Sequence, residues 1–276
     1  MAIDPTPELA DPAVTPHART RVDGDPVAAV AGQASTPQSQ ERHSGTRVLL
    51  VRPSALGDIC RTAPAVATIR AAMPDAHIDF LIEDAFSDAL RHHPALDGLI
   101  LFPRRRFGRA WLRPSLLAEI LRWARRLRGE RYDLVLDLQG LARSGLVTWM
   151  TGARRRVGFA RARELAWVGY NHRHRISNRI HHVDRMLGLL EAEGFPPVYD
   201  MRLYVGPDDE HWCSQLIPGR FACLAPTSRW RSKCWPHDQF VQVARRLLDS
   251  GVAGDHLVLL SAPSERDEVE PMVRQL

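Results

Sequence analysis

Lysine is almost missing: of the 37 basic residues in this 276-residue chain, only Lys233 is a lysine. Arginine therefore carries nearly all the positive charge, and the place that keeps a lysine stands out as one that prefers a compact ammonium to a planar guanidinium. Cysteine is scarce too. Cys60, Cys213, Cys223 and Cys234 lie far apart with no C-x-x-C pair, which argues against a zinc ribbon, a dithiol redox centre or a disulfide scaffold and suits free thiols in a reducing compartment. No apolar run reaches the ~18 residues of a membrane-crossing helix. The opening MAIDPTPELADP has neither a basic nor an apolar leader region, so the expectation is a cytoplasmic protein unless its surface holds it on a membrane.

What is present is globular. The chain is 45% hydrophobic and 25% charged, enough for a sizeable core and for one large or two modest domains. The net charge is +5, but its distribution says more. Arginines crowd into 104–113, 122–131, 154–163 and 173–185, a field that attracts phosphate, nucleic acid or acidic lipid. The competing reading is a set of solvated helix faces.

Residues 1–45 are rich in Pro, Ala, Thr, Gln, Ser and Asp, without apolar periodicity. Such a composition cannot offset its own ordering entropy, and a disordered tail is expected. From Arg47 an unbroken apolar run reads as a strand buried on both faces. A Gly-containing turn, a helix over 59–73 and a strand over 77–82 complete a βαβ unit. Alternation continues with a helix near 85–91, strands at 98–102, 133–138 and 156–159, and helices at 114–127 and 141–150. This spacing predicts a parallel sheet covered on both faces, a Rossmann-like domain over 46–203. After a helix over 182–194 and the stiff Phe195-Pro196-Pro197 connector, strands at 221–225 and 256–261, a helix at 236–250 and a helical start at 265–276 predict a partial second domain over 204–276.

Two turns carry candidate chemistry. The first strand ends in Pro53-Ser54-Ala55-Leu56-Gly57-Asp58, at the carboxyl edge where open α/β sheets place their ligands. Asp58 there is either the N-cap of the following helix or a general base facing the cleft. The second turn, APTSRWRSKCWP over 225–236, leaves a strand with two hydroxyls, then a cation, and enters a helix with Pro236 in the favoured N1 position. Hydroxyls, backbone N–H groups and one ammonium suit a phosphate. The plainer alternative is a basic loop with a buried tryptophan.

The segments RVLLVRPSALGDICRTAPAVATIRAAMPDAHIDFLIEDAF, YDLVLDLQGLARSGLVTWMTGARRRVGFARARELAWVGYNHRH and PTSRWRSKCWP together resemble glycosyltransferase family 9, the ADP-heptose:lipopolysaccharide heptosyltransferases, in ordered blocks from Arg47 to about Leu276. The resemblance implies an α/β GT-B fold, two Rossmann-like domains facing across a cleft. It makes Asp58 the catalytic base and puts Thr227, Ser228 and Lys233 on the donor diphosphate, with Lys233 also serving catalysis. It further implies that Glu265 meets the donor ribose and that Ser54, Gly57, Arg104, Arg105, Arg106 and Arg143 serve an anionic acceptor, with a solvated surface charge as the other reading of Arg143. The family's donor-side D-S/T-G-x-x-H stretch is not among these residues, so a C-terminally truncated chain is expected, with residues 205–276 loosely held and no transfer by this polypeptide alone.

The function so implied is inverting transfer of heptose from an ADP-activated donor to an inner core sugar of lipopolysaccharide. No cofactor or metal is expected, since no D-x-D motif occupies a cleft position. The partners implied are the ADP-sugar, the anionic glycolipid and the inner-leaflet membrane surface, with no nucleic acid. The alternatives are a family member with another donor or acceptor, or a non-catalytic anion-binding protein.

Overall fold

A computed structural model of the chain describes residues 45–107, 114–228, 231–254 and 256–276, without the side chains of Arg105 and Pro114. Residues 1–44, including nearly all of the expected tail, lie outside the described residues, as do Arg109, Arg113, Arg229 and Trp230 of the basic segments.

Six parallel strands form the main sheet: β1 (Arg47–Val51), β2 (His77–Glu83), β3 (Gly98–Phe102), β4 (Leu134–Asp137), β5 (Arg155–Phe159) and β6 (His172–His174). Their order, β3-β2-β1-β4-β5-β6, reverses direction between β1 and β4, and such a switch point opens a crevice at the carboxyl ends of the strands. Residues Val48 to Val51 are all completely buried because β1 is covered on both sides. Val48 and Leu50 join one core with residues of α2 (Ala63–Ala72) and α6 (His182–Ala192). Leu49 and Val51 join the other, with Trp123 and Leu127 of α4 (Pro114–Gly129) and Val147 of α5 (Ala142–Met150). The period-two alternation of a strand thus feeds two apolar layers rather than one.

Several local expectations are corrected. The single helix over 59–73 is two helices, α1 (Leu56–Cys60) and α2, because Pro64 lacks the N–H that an uninterrupted helix needs and occupies the first turn of the second. The segment near 85–91 is a 3-10 turn over Asp84–Ala89. Pro236 is not at N1 but stands one place earlier, as the N-cap of α8 (His237–Asp249). Strand β6 has no apolar signature, being His-Arg-His at the sheet edge, and α7 (Pro207–Leu216) buries no residue. Neither was expected from the sequence.

The chain crosses to its second sheet along the surface of α2. The Val198 N–H donates to Thr68 Oγ1 at 2.9 Å, and the Thr68 hydroxyl donates to the Pro64 carbonyl. Beyond α7, β7 (Phe221–Leu224), α8 and β8 (His256–Leu259) form a parallel βαβ unit, with α9 (Arg266–Gln275) packed against α8.

Candidate active site

The turn leaving β1 and the turn leaving β4 meet at the switch point. Arg52 is 6% exposed. Its Nη1 donates to the Leu138 carbonyl, and its Nη2 lies 3.4 Å from Asp58 Oδ2. Burial lowers the guanidinium pKa, while the charges of Asp58 and Asp137 oppose that shift. Arg61 Nη1 approaches Asp58 Oδ1 at 3.8 Å. Asp58 is the third residue of α1, whose N-cap is Ala55, so its carboxylate does not cap the helix. The N-cap expectation is overturned: the side chain is occupied by two guanidinium groups and remains 38% exposed at the crevice.

A fully buried carboxylate shapes the turn after β4. Asp137 Oδ1 accepts the N–H groups of Gln139 and Gly140 at 2.9 and 3.0 Å, and Oδ2 accepts the Tyr170 hydroxyl at 2.6 Å. Burial pushes the Asp137 pKa up, against the pull of these hydrogen bonds. Gly140 takes a positive φ of 74° there, a conformation glycine reaches without a Cβ penalty. Gln139 Nε2 then reaches Ser54 Oγ at 3.5 Å, tying the two turns together.

Sequence reasoning missed the arginines that complete this edge. Arg185 lies on α6 with its guanidinium 4.0 Å from the Phe159 ring centre. Its pKa is lowered first by burial and then by the positive charges of Arg52 and Arg163. The signal was present as arginine clusters, but a cluster does not say which members turn inward.

The other acceptor candidates are dispersed. Arg104 pairs with the buried Glu83 at 3.2 Å, and Arg106 pairs with Glu119 at 2.6 Å. They sit in a short helix, α3 (Arg104–Phe107), rather than an open loop, and the Arg105 side chain lies outside the described residues. Gly57 lies in α1, and Arg143 is exposed in the first turn of α5.

On the second sheet, the turns after β7 and β8 join. Thr227 Oγ1 donates to Glu265 Oε2 at 2.6 Å, and the Ala262 N–H reaches the same oxygen at 3.1 Å. These hydrogen bonds, Thr227 first, hold the Glu265 carboxyl below its ordinary pKa. The Ser228 carbonyl accepts the Cys234 thiol at 3.5 Å. Lys233 is exposed in the 3-10 turn Arg231–Lys233. Trp235 is 47% exposed and meets Phe240 edge-on at 5.3 Å, so it is not the buried tryptophan of the plainer reading.

A Rossmann-type sheet with its crevice at the β1/β4 switch, followed by a second βαβ unit with a polar carboxyl edge, defines the α/β GT-B class. The family model described as "Glycosyltransferase family 9 (heptosyltransferase)" matches residues 120–275. The chain belongs to glycosyltransferase family 9. It is 30% identical over 212 residues to lipopolysaccharide heptosyltransferase 1 of Escherichia coli (strain K12), covering 75% of this chain and 66% of that protein. Its likeness to lipopolysaccharide heptosyltransferase 1 of Pseudomonas aeruginosa is 30% over 209 residues, covering 74% and 59%. A solved structure of E. coli heptosyltransferase WaaC with ADP-2-deoxy-2-fluoro heptose superposes with a TM-score of 0.68 at 28% identity, covering 82% of this chain and 73% of that one. The chain therefore spans about two thirds or less of the length of these curated relatives.

Proposed function

We propose that these residues, together with the donor-side D-S/T-G-x-x-H stretch of the family, transfer a heptose from ADP-heptose to an anionic inner core sugar of lipopolysaccharide, with inversion at the anomeric carbon. The observation that carries this reading is the Asp58 carboxylate, held at the switch-point crevice by Arg52 and Arg61 yet open to solvent. Such a group can take the proton of an acceptor hydroxyl as that oxygen attacks. A new C–O bond forms on one face of the sugar while the bond from its anomeric carbon to the diphosphate oxygen breaks on the other. The transition state is oxocarbenium-like. ADP leaves with the electron pair, and Lys233, the Ser228 hydroxyl and, once it turns from Glu265, the Thr227 hydroxyl stabilise the growing charge.

The Thr227–Glu265 hydrogen bond supports one donor site, because it joins the two turns that the nucleotide would span. Arg52, Arg61, Arg163 and Arg185 around the crevice suit an acceptor that bears phosphate or carboxylate. Among the described residues no helix is long and apolar enough to cross a membrane. In this reading the enzyme works in the cytoplasm and meets its glycolipid from the inner face of the inner membrane.

The test is Asp58→Asn in the intact protein, followed by ADP-heptose transfer to deacylated inner core acceptor. Turnover should fall by about two to four orders of magnitude, the usual worth of a general base, with ADP affinity and thermal midpoint nearly unchanged. Turnover close to that of the parent would reject the role.

A further inference from the structure

The helices α4 and α5 cover one side of the main sheet, and their outward faces share an unusual composition. Along α4 the exposed positions Leu117, Leu121, Arg125 and Arg128 form one row, with Arg122 and Arg126 beside it. Along α5 the exposed positions Arg143, Leu146 and Trp149 recur every three residues. Leu117, Leu121, Leu146 and Trp149 are 48–57% exposed. No acidic residue occupies an exposed position on either helix among the described residues. The inward sides of the same helices supply Trp123, Leu127 and Val147 to one core, so both outward rows look away from the sheet on the same side.

The two helices end at an open cavity of about 490 Å³, lined by Arg128, Arg131, Arg154, Tyr132, Asp133 and Thr151. Its other polar groups are hydrogen-bonded, Tyr132 and Thr151 in the interior and Asp133 at the exposed rim. The Tyr132 hydroxyl donates to Asp79, the Thr151 hydroxyl donates to the Thr148 carbonyl, and Asp133 Oδ2 accepts the Arg47 N–H. The three guanidinium groups have no carboxylate partner among the described residues. Trp149 is one turn before the lining residue Gly152: its carbonyl accepts the Gly152 N–H, and Gly152 lies against the Arg128 guanidinium.

We propose that this face is a docking surface for an anionic bilayer, with Leu117, Leu121, Leu146 and Trp149 in the headgroup region and the arginine cavity holding one lipid phosphate. Leucine and tryptophan beside arginine at helical spacing is the chemistry of a helix lying in the interface, not of one crossing it. Guanidinium groups supply the paired donors that phosphate oxygens accept. A nucleic acid would use the arginines but leave the apolar rows without a partner. Helix α5 begins beside the turn after β4 and ends at the cavity. Docking on this face would therefore keep the crevice along the bilayer surface, where a glycolipid head emerges. The proposal rests on the glycolipid reading for its purpose, though not for its measurement.

Co-sedimentation of the whole protein with phosphatidylcholine vesicles, with and without phosphatidylglycerol, tests it. Binding should require the anionic lipid and weaken with salt. Arg128→Gln and Arg154→Gln should each lower the partition coefficient about five-fold, the effect of one basic residue near such a surface. Trp149→Ser should lower it further while Trp149→Phe retains it, and Arg245→Gln on α8 should change nothing. Equal partition onto neutral vesicles, or indifference to both arginine changes, would overturn the proposal. So would cavity-dependent binding of inorganic phosphate or duplex DNA without vesicle binding. Transfer to a deacylated acceptor separates the two readings: transfer without vesicle binding removes the docking surface alone, and vesicle binding without transfer removes the catalytic reading alone.

Discussion

Arg52 Nη2 stands 3.4 Å from Asp58 Oδ2, and the same guanidinium donates through Nη1 to the carbonyl of Leu138. One buried side chain thereby links the turn after β1 to the turn after β4. It fixes where the Asp58 carboxylate sits relative to the crevice, so if Asp58 is the base as proposed, Arg52 is its positioning residue.

Arg52→Gln should lower kcat by about tenfold or more, since misplacing a reacting group by about 1 Å costs on the order of a hundredfold. ADP affinity, read by calorimetry, should stay within about twofold of the parent. Arg52→Lys should recover part of the rate, because an ammonium restores the charge but cannot bridge both oxygens in the same plane. Equal losses in kcat and ADP affinity would point to a merely structural role.

Lys233 presents an exposed ammonium in the turn before Trp235 and Pro236. Lys233→Ala should weaken ADP binding and slow transfer together, and Lys233→Arg should rescue only partly. Calorimetric titration with ADP is the measurement, and unchanged affinity in both variants would remove Lys233 from the donor site.

Gly158 lies flat against the Tyr170 ring, so an added Cβ would overlap the aromatic carbons. Gly158→Ala should destabilise the protein by about 1–3 kcal/mol, the range for overpacking a filled core. Because Tyr170 also holds Asp137, the loss should carry over to the turn after β4. Gly194→Ser, where an added Cβ meets nothing but φ is 92°, isolates backbone strain from steric overlap. Urea unfolding compares the two.

Asp137 offers a pH prediction whose sign follows from its burial. Its folded pKa lies above the ordinary 3.8, so the folded protein holds the proton more tightly than the unfolded chain. This group's contribution to stability is therefore greatest below that ordinary value and is lost as pH rises through the folded pKa. Asp137→Asn keeps an oxygen for the Gln139 and Gly140 N–H groups and removes the titration. Subtracting its stability–pH curve from that of the parent should leave a decline starting near pH 3.8. A flat difference would mean that Asp137 titrates alike folded and unfolded.

Much of the main sheet was legible because its central strands carry short apolar runs. Residues 48–51, 80–82 and 99–102 announce themselves by hydrophobicity, while the buried Asp79 and Glu83 of β2 break that pattern and are held by Tyr132 and Arg104. Strand β6 and helix α7 were not legible, since His172-Arg173-His174 sits at an edge and α7 buries nothing. Their existence depends on a neighbour's hydrogen bonds or on chain geometry, which leave no period in the sequence.

The sequence by itself determined the alternation of strands and helices, the two polar turns and the positions of Asp58, Thr227, Ser228 and Lys233 within them, because these follow from local hydrophobicity, turn chemistry and spacing. Only the tertiary structure decided that Asp58 is gripped by Arg52 and Arg61 instead of capping its helix. It likewise decided that Thr227 meets Glu265, that Asp137 is buried beneath Tyr170, and which arginines turn toward the crevice. Those relations join residues dozens of positions apart or select one orientation of a long flexible side chain. Packing and burial set such choices, and no local pattern encodes them.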